Sequence, residues 1–347
     1  MSDDRMLIIT PVRNEEGHIE GVARSLAAQT RPPALWVVVD DNSTDGTADA
    51  LARLAEQIDF MRVVSTPPNF TVKSADRLAV AAAPRAFNYG LAAVGDISGF
   101  THIGKIDGDV ELRPDYYERI LAALDADPSL GIAGGVILEQ RQGEWQPTPS
   151  AREHVRGALK LYTAACFADI GGIVERLGWD GIDETLARMH GYKTRSFDDA
   201  GALHHRETGS ADGRLRGHVR WGEAHWILNH GAIWTAARSV RVARIRPRGA
   251  SGAAYLYGYM RAAVRRVPRV EIDGYREFVR AEQRRRMVSA VRGRTQVGPV
   301  ARATIQRSGS VRRVIKSDIV QEQIKTARAM SVVRDRSRFL RGRVTRR

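Results

Sequence analysis

The stretch THIGKIDGDVEL, residues 101–112, runs from an apolar segment into two aspartates separated by one glycine. Alternate residues of an extended chain share a face, so Asp107 and Asp109 would stand side by side and repel. Aspartate and glycine also favour turns, and taken alone the triplet is well explained as a turn after a strand. The surrounding sequence separates the two readings.

Upstream, MLIITPV (6–12) has the unbroken apolar character of a buried strand. HIEGVARSLAAQ (18–29) has helical spacing, with Ile19, Val22, Ala23 and Leu26 on one face. ALWVVVD (34–40), MRVVST (61–66) and THIGKI supply three more strands, and LGIAGGVILE (130–139) is again strand-like. Helices fall between them: STDGTADALARLAEQI (43–58) opens on capping residues, AFNYGLAAV (86–94) lies within another, and RPDYYERILAALDAD (113–127) has proline in its first turn. This alternation predicts an α/β fold, a mainly parallel sheet with helices on both faces. Ligands of such sheets bind beyond the carboxyl ends of the strands. Three of those ends are polar and mostly acidic: PVRNEE, VDDNSTD and KIDGD. Neither G-x-G-x-x-G nor G-x-x-x-x-G-K-[ST] stands at them, so no glycine loop cradles a phosphate there. A cation held by carboxylates is the obvious substitute.

The chain has 347 residues, enough for about two domain-sized units. Its single cysteine, Cys166, excludes an intrachain disulfide. The start is acidic and enters a strand at once, unlike a secretory signal, and no apolar run approaches the ~18 residues of a spanning helix. Net charge is +14, unevenly placed: residues 236–347 carry 30 Lys+Arg against 7 Asp+Glu, and residues 1–235 carry 24 against 33. A basic end of this kind suits an anionic surface, either lipid headgroups or nucleic acid, or is a solvated extension. The alternation breaks at 143–157, read as a loop. AHWILNHGAIWTAARSVRVARI (224–245) and AAYLYGYMRAAVRRV (253–267) follow as amphipathic helical segments, suited either to a membrane interface or to packing on the body. The expected organisation is a nucleotide-binding half (1–140), an acceptor-binding and catalytic half (141–235), a membrane-associating helical region (236–290) and a basic tail (291–347).

IITPVRNEEGHIEGVARSLAAQT, VVVDDNSTDGTAD and IDGD together resemble the family 2 glycosyltransferases of GT-A fold, in order and at matching spacing. FADIGGIVERLGWDGIDETLARMHGYK (167–193) resembles that family's later G-G-F-D-E to G-Y-K segment, LHHRETGS (203–210) its late histidine strand, and HVRWGEAHW (218–226) a helix of its processive members. Gly217 stands where processive enzymes carry glutamine, which weakens a processive reading. The resemblance covers the chain to about residue 290.

The resemblance implies an inverting, metal-dependent transfer from a nucleotide-diphosphate sugar to a lipid-linked or glycan acceptor, with Mg²⁺ or Mn²⁺ as cofactor. It places Asp41 at the nucleobase, with Pro11, Arg13 and Glu15 completing the base pocket, and Arg85 and Asn88 beside the diphosphate and ribose. Asp107 would face the ribose and share the metal with Asp109, and His205, or His204 beside it, would complete the shell. Gly108 would let the backbone pass close to the ligand. Asp183 is the expected general base, although Ile182-Asp183 replaces the usual Glu-Asp and the following helix is two residues short; Asp180 and Glu184 stay open as alternatives. The expected location is cytoplasmic, peripheral on the membrane face. A nucleotidyltransferase would need a glycine-bearing loop after the first strand, which TPVRNEE lacks. A nucleic-acid-binding protein would leave the acidic strand ends unexplained.

Overall fold

A computed structural model describes residues 4–70, 81–141, 143–148, 150–206 and 213–291. The expected basic tail, from residue 292 onward, lies outside the described residues. In chain order the elements are β1 (Met6–Val12), α1 (Ile19–Ala27), β2 (Leu35–Asp40), α2 (Thr47–Gln57), β3 (Met61–Ser65), α3 (Ala82–Val94), β4 (His102–Ile106) and β5 (Val110–Leu112). They continue with α4 (Tyr116–Ala126), β6 (Leu130–Arg141), β7 (Glu144–Pro147), β8 (Leu159–Thr163), α5 (Ala164–Asp169), α6 (Trp179–Met189) and β9 (Lys193–His204). Four helices close the described chain: α7 (Arg214–Ile227), α8 (Ala232–Val242), α9 (Ala250–Val264) and α10 (Tyr275–Val291).

The strands form one sheet in the order β3-β2-β1-β4-β8-β6-β9-β5, with β7 paired to β6 off that path. β3, β2, β1 and β4 are parallel neighbours, as strand–helix alternation dictates. β8 then enters antiparallel between β4 and β6, while β9 runs parallel to β6 and antiparallel to β5. The sheet is therefore continuous across residue 140, which falls inside β6. Successive residues of the central strands feed opposite faces: Met6, Ile8, Trp36 and Val38 pack under α1, α2 and α4, and Leu7, Ile9, Val37 and Val39 under α3, α5 and α6. Both faces are covered, which explains why these strands show no polar alternation.

Two local expectations change. Residues 144–147 form an edge strand, reached through Gly143 at φ 85°, where a loop was expected. All four residues of that strand are exposed, so it carries no burial pattern to betray it. The segment 224–245 is two helices: Asn229 takes φ 61° and donates through Nδ2 to Val270 O at 2.8 Å, turning the chain between α7 and α8. α9 lies against α7 at backbone distance. A Cβ on Gly222 would come 1.9 Å from Tyr255 O, and one on Gly258 would come 1.9 Å from Val219 O. No helix among the described residues is long and apolar enough to cross a membrane.

Candidate active site

The carboxyl ends of β1, β2 and β4 lie side by side because these strands are parallel neighbours in the sheet. The loops after β1 and β2 are stitched together. Asp41 N donates to Val12 O at 2.9 Å, Arg13 Nη1 to Asp41 O at 2.7 Å, and Thr44 N to Asn14 Oδ1 at 2.8 Å. Glu15 N donates to Thr47 Oγ1 at 2.8 Å, at the start of α2. Asp41 is buried, its Oδ1 3.4 Å from Thr66 Oγ1. Pro11, opposite Val39 in the register, Arg13 and Asp41 thus form one continuous ledge.

Glu15 turns away from that ledge towards the Asp-Gly-Asp turn. Its buried carboxylate is bound by Arg206, whose Nε is 3.9 Å from Asp109 Oδ2. Burial and the nearby Asp109 push the Glu15 carboxyl up to about 7, against the pull of Arg206. Gly108 has a packing role here: a Cβ would stand 2.7 Å from Val12 Cγ1 and 3.1 Å from Glu15 Cγ. The room a side chain would need there is taken by Val12 and Glu15.

Asp107 and Asp109 are held differently. Asp107 is partly exposed and pairs with the buried Lys105, which also donates to Gly157 O at 2.9 Å. Asp109 is buried, with Oδ1 3.4 Å from His204 Nε2. The antiparallel pairing of β5 with β9 sets Val110 opposite His204 and so delivers this histidine. Burial disfavours charge on both partners, yet the pair outweighs it: Asp109 is held below its ordinary value, and His204, drawn also by Glu139, rises to about 9. His205 points elsewhere, its Nε2 3.0 Å from Glu111 Oε1 and its ring stacked on His18 at 5.3 Å. Of the two expected histidines, His204 is the one at Asp109.

Arg85 and Asn88 tie α3 to two loops. Asn88 Nδ2 donates to Ile173 O at 2.9 Å and Glu175 Oε1 at 3.1 Å; Arg85 lies over the Phe70 ring at 5.1 Å, with Nε 3.8 Å from Glu175 Oε2. None of these contacts reaches the Asp-Gly-Asp turn.

Asp183 is held by β8, whose Lys160 lies opposite Lys105 in the sheet. It is fully buried; Lys160 Nζ donates to both its oxygens, at 2.8 and 2.9 Å, and the Tyr162 hydroxyl donates to Oδ2. In this arrangement both oxygens of the expected base are taken up by protein donors. Glu184 is also buried, accepting from Val155 N at 2.7 Å and lying 3.1 Å from His154 Nδ1. Asp180, in the first turn of α6, is partly exposed. It adjoins Gly157, where a Cβ would meet Trp179 at 2.7 Å and Asp180 Cβ at 3.2 Å, and Gly157 accepts from the lysine that pairs with Asp107. Asp180 is therefore the member of the trio on the Asp107 side.

Several contributors were not picked out from the sequence: Lys105, Lys160, Trp179 and Arg206. The β4–β8 register sets Lys105 opposite Lys160, and the two ammonium groups lie 5.3 and 5.4 Å from the Trp179 ring centroid. A lysine inside an apolar strand, in HIGKI and again in LKLYT, is the signal that marks them, because a buried lysine needs a partner.

Among the described residues no three His, Cys, Asp or Glu side chains converge to hold a metal. The donors at the turn still fit a hard divalent cation. Asp107 and Asp109 offer carboxylate oxygens at i and i+2, and such ions commonly take one or two carboxylates plus substrate phosphates. His204 Nε2, 3.4 Å from Asp109 Oδ1, stands beside this pair, and in the free protein Asp109 and Glu139 together hold its proton.

A mixed sheet with acidic strand ends, no phosphate-binding glycine loop and a partly exposed aspartate at a neighbouring helix start suits a sugar-transferring enzyme. Residues 7–171 match the family model described as glycosyl transferase family 2, and this segment, a little under half of the chain, is the part that belongs to that family. Among solved structures it is similar to the mannosyltransferase PcManGT from Pyrobaculum calidifontis, in complex with GDP-Man and Mn2+, at 17% identity over 83% of this chain and 86% of that one, TM-score 0.48. It is also similar to S. aureus TarS 1-349 in complex with UDP-GlcNAc, at 15% identity over 82% and 79%, TM-score 0.45. No curated protein matches the sequence.

Proposed function

We propose that this glycosyltransferase moves a sugar from a nucleotide-diphosphate donor to a hydroxyl of a lipid-linked or glycan acceptor, with inversion, on the cytoplasmic side of a membrane. The observation that carries the reading is the pair Asp107 and Asp109 at the carboxyl end of β4, with Arg206 linking Asp109 to Glu15 after β1, in a family 2 domain. The ledge of Pro11, Arg13 and Asp41 lies beside that cluster and is the place for the nucleobase. Asp107 and Asp109 would hold Mg²⁺ or Mn²⁺, which supplies charge stabilisation for a departing diphosphate. Lys105 holds Asp107 in place, and His204 and Arg206 hold Asp109 and Glu15.

In the transfer, the acceptor oxygen bonds to the anomeric carbon as the bond from that carbon to the diphosphate oxygen breaks. The nucleoside diphosphate leaves on the opposite face, which inverts the centre. The acceptor proton passes to a carboxylate, and Asp180 takes this role in preference to Asp183 because it is the one open to an acceptor. Its place in the first turn of α6 also favours a negative charge there.

The test is a thermal-shift panel of UDP-, GDP- and dTDP-sugars with Mn²⁺ or with EDTA, followed by anomeric proton NMR of the product. Metal-dependent stabilisation by one donor and an inverted product support the reading. No response to any nucleotide sugar, with or without metal, would overturn it.

A further inference from the structure

α9 presents an apolar face to solvent, where a surface helix is ordinarily polar. Its buried stripe consists of small residues and tyrosines, Ser251, Gly252, Tyr255, Gly258, Tyr259 and Ala262. Its outward stripe, spaced i, i+4, i+7 and i+11, is Ala253, Tyr257, Met260 and Val264, with Tyr257 58%, Met260 56% and Val264 83% exposed. α8 repeats the arrangement. Ile233, Ala236, Ala237 and Val240, at i, i+3, i+4 and i+7, face outward, with Ile233 78% and Val240 62% exposed. The two helices pack together where Gly252 meets Ser239 O and Ala243, so the stripes belong to one helical hairpin.

The charges around the stripes are of one sign. Residues 232–270 contain nine arginines and no Asp, Glu or Lys. Arg241, Arg244, Arg246, Arg248, Arg265 and Arg266 are exposed and joined to no carboxylate among the described residues. Exposed apolar stripes rimmed by uncompensated arginines combine the two attractions of an interfacial helix, acyl-chain contact and anionic headgroups.

We infer that the α8–α9 hairpin docks on an anionic lipid bilayer, lying in the headgroup layer without crossing it. Charge decides the occupant. Residues 292–347 carry 16 Lys+Arg against 3 Asp+Glu, so this segment would be repelled by the arginine rim. A second copy of the chain, meeting this face symmetrically, would set arginine against arginine. An anionic bilayer accepts both the stripes and the rim. The docking is independent of the sugar-transfer reading, and its readout is vesicle binding, not turnover.

The experiment is flotation of the full chain with vesicles of phosphatidylcholine alone, and of phosphatidylcholine mixed with phosphatidylglycerol. The wild type is expected to float with the mixed vesicles, less so as salt is raised. The triple variant I233D/Y257D/V264D is expected to lose about tenfold or more of that partition. Its melting temperature should stay at the wild-type value, since all three side chains are exposed. Three results would overturn the inference. The wild type fails to float with the mixed vesicles. The variant floats like the wild type, which would assign the binding to the basic residues beyond 291. Or sedimentation shows self-association that the variant abolishes, with no vesicle binding, which would assign the face to a second copy.

Discussion

Lys160 holds both oxygens of Asp183, with Nζ 2.8 Å from Oδ1 and 2.9 Å from Oδ2, and neither side chain reaches solvent. The pair arises because β8 places Lys160 inside the sheet, under the first turns of α6. Breaking such a pair leaves a charge buried without its partner. Asp183→Ala is therefore expected to destabilise the protein by about 3–5 kcal/mol. The midpoint of urea unfolding measures this.

Asp180→Asn is the complementary variant. Asp180 is partly exposed and, among the described residues, no side-chain hydrogen bond holds it, so stability should stay within about 0.5 kcal/mol of wild type. Turnover should fall by ~10²–10⁴ while the donor still raises the melting temperature. A variant with wild-type turnover would return the search for the base to Glu184 or to a group of the acceptor.

Asp107→Asn and Asp109→Asn should each abolish the metal-dependent part of the donor thermal shift. Their costs differ. Asp107 is partly exposed, whereas Asp109 is buried between His204 and Arg206. Asp109→Asn should thus lower the melting temperature of the free protein as well, and Asp107→Asn should do so less. Differential scanning fluorimetry, with and without Mn²⁺, checks both.

The His154–Glu184 pair predicts a pH dependence. Glu184 raises the affinity of His154 for its proton, outweighing burial, so the histidine is held above its ordinary value of 6.5 in the folded state. A group raised on folding stabilises fully below its unfolded pKa, and that contribution is lost as pH rises through the folded one. Glu184 is held down to about 2; burial opposes its ionisation, but His154 and Lys160 outweigh it. Its contribution is present above 4.5 and is lost only as pH falls through about 2. His154→Ala should therefore lower the melting temperature more at pH 6 than at pH 9. An equal loss at both would show that the contact acts through packing alone.

Gly258→Ala should be more damaging than Gly108→Ala. At Gly258 the new methyl meets a backbone carbonyl 1.9 Å away and must separate α9 from α7. At Gly108 it meets Val12 Cγ1 at 2.7 Å, a side chain that can shift, at a cost of about 1–3 kcal/mol. Chemical denaturation of the two variants gives the order directly.

Much of the fold was legible in the sequence because β1, β2 and β4 are buried on both faces and read as largely apolar runs. The strand-end clusters PVRNEE, VDDNSTD and KIDGD were legible for the same reason, since they mark where those runs stop. The edge strand at 144–147 was not, because four exposed residues leave no burial pattern. Which carboxylate faces an acceptor was also hidden. Asp180, Asp183 and Glu184 lie within about one and a half helical turns of one another, and local spacing cannot tell the open side chain from the two that β8 and the 150–157 loop cover.

The two aspartates of IDGD show the same division. Their i, i+2 spacing placed both carboxylates at one strand end, and that much is a property of the extended chain itself. Lys105, two residues before Asp107, shares its face for the same reason, whereas tertiary structure decided the partners of Asp109: His204 and Arg206, nearly a hundred residues away. The physical reason is that charge pairing depends on distance in space, and the β5–β9 register sets that distance without leaving a local trace in the sequence.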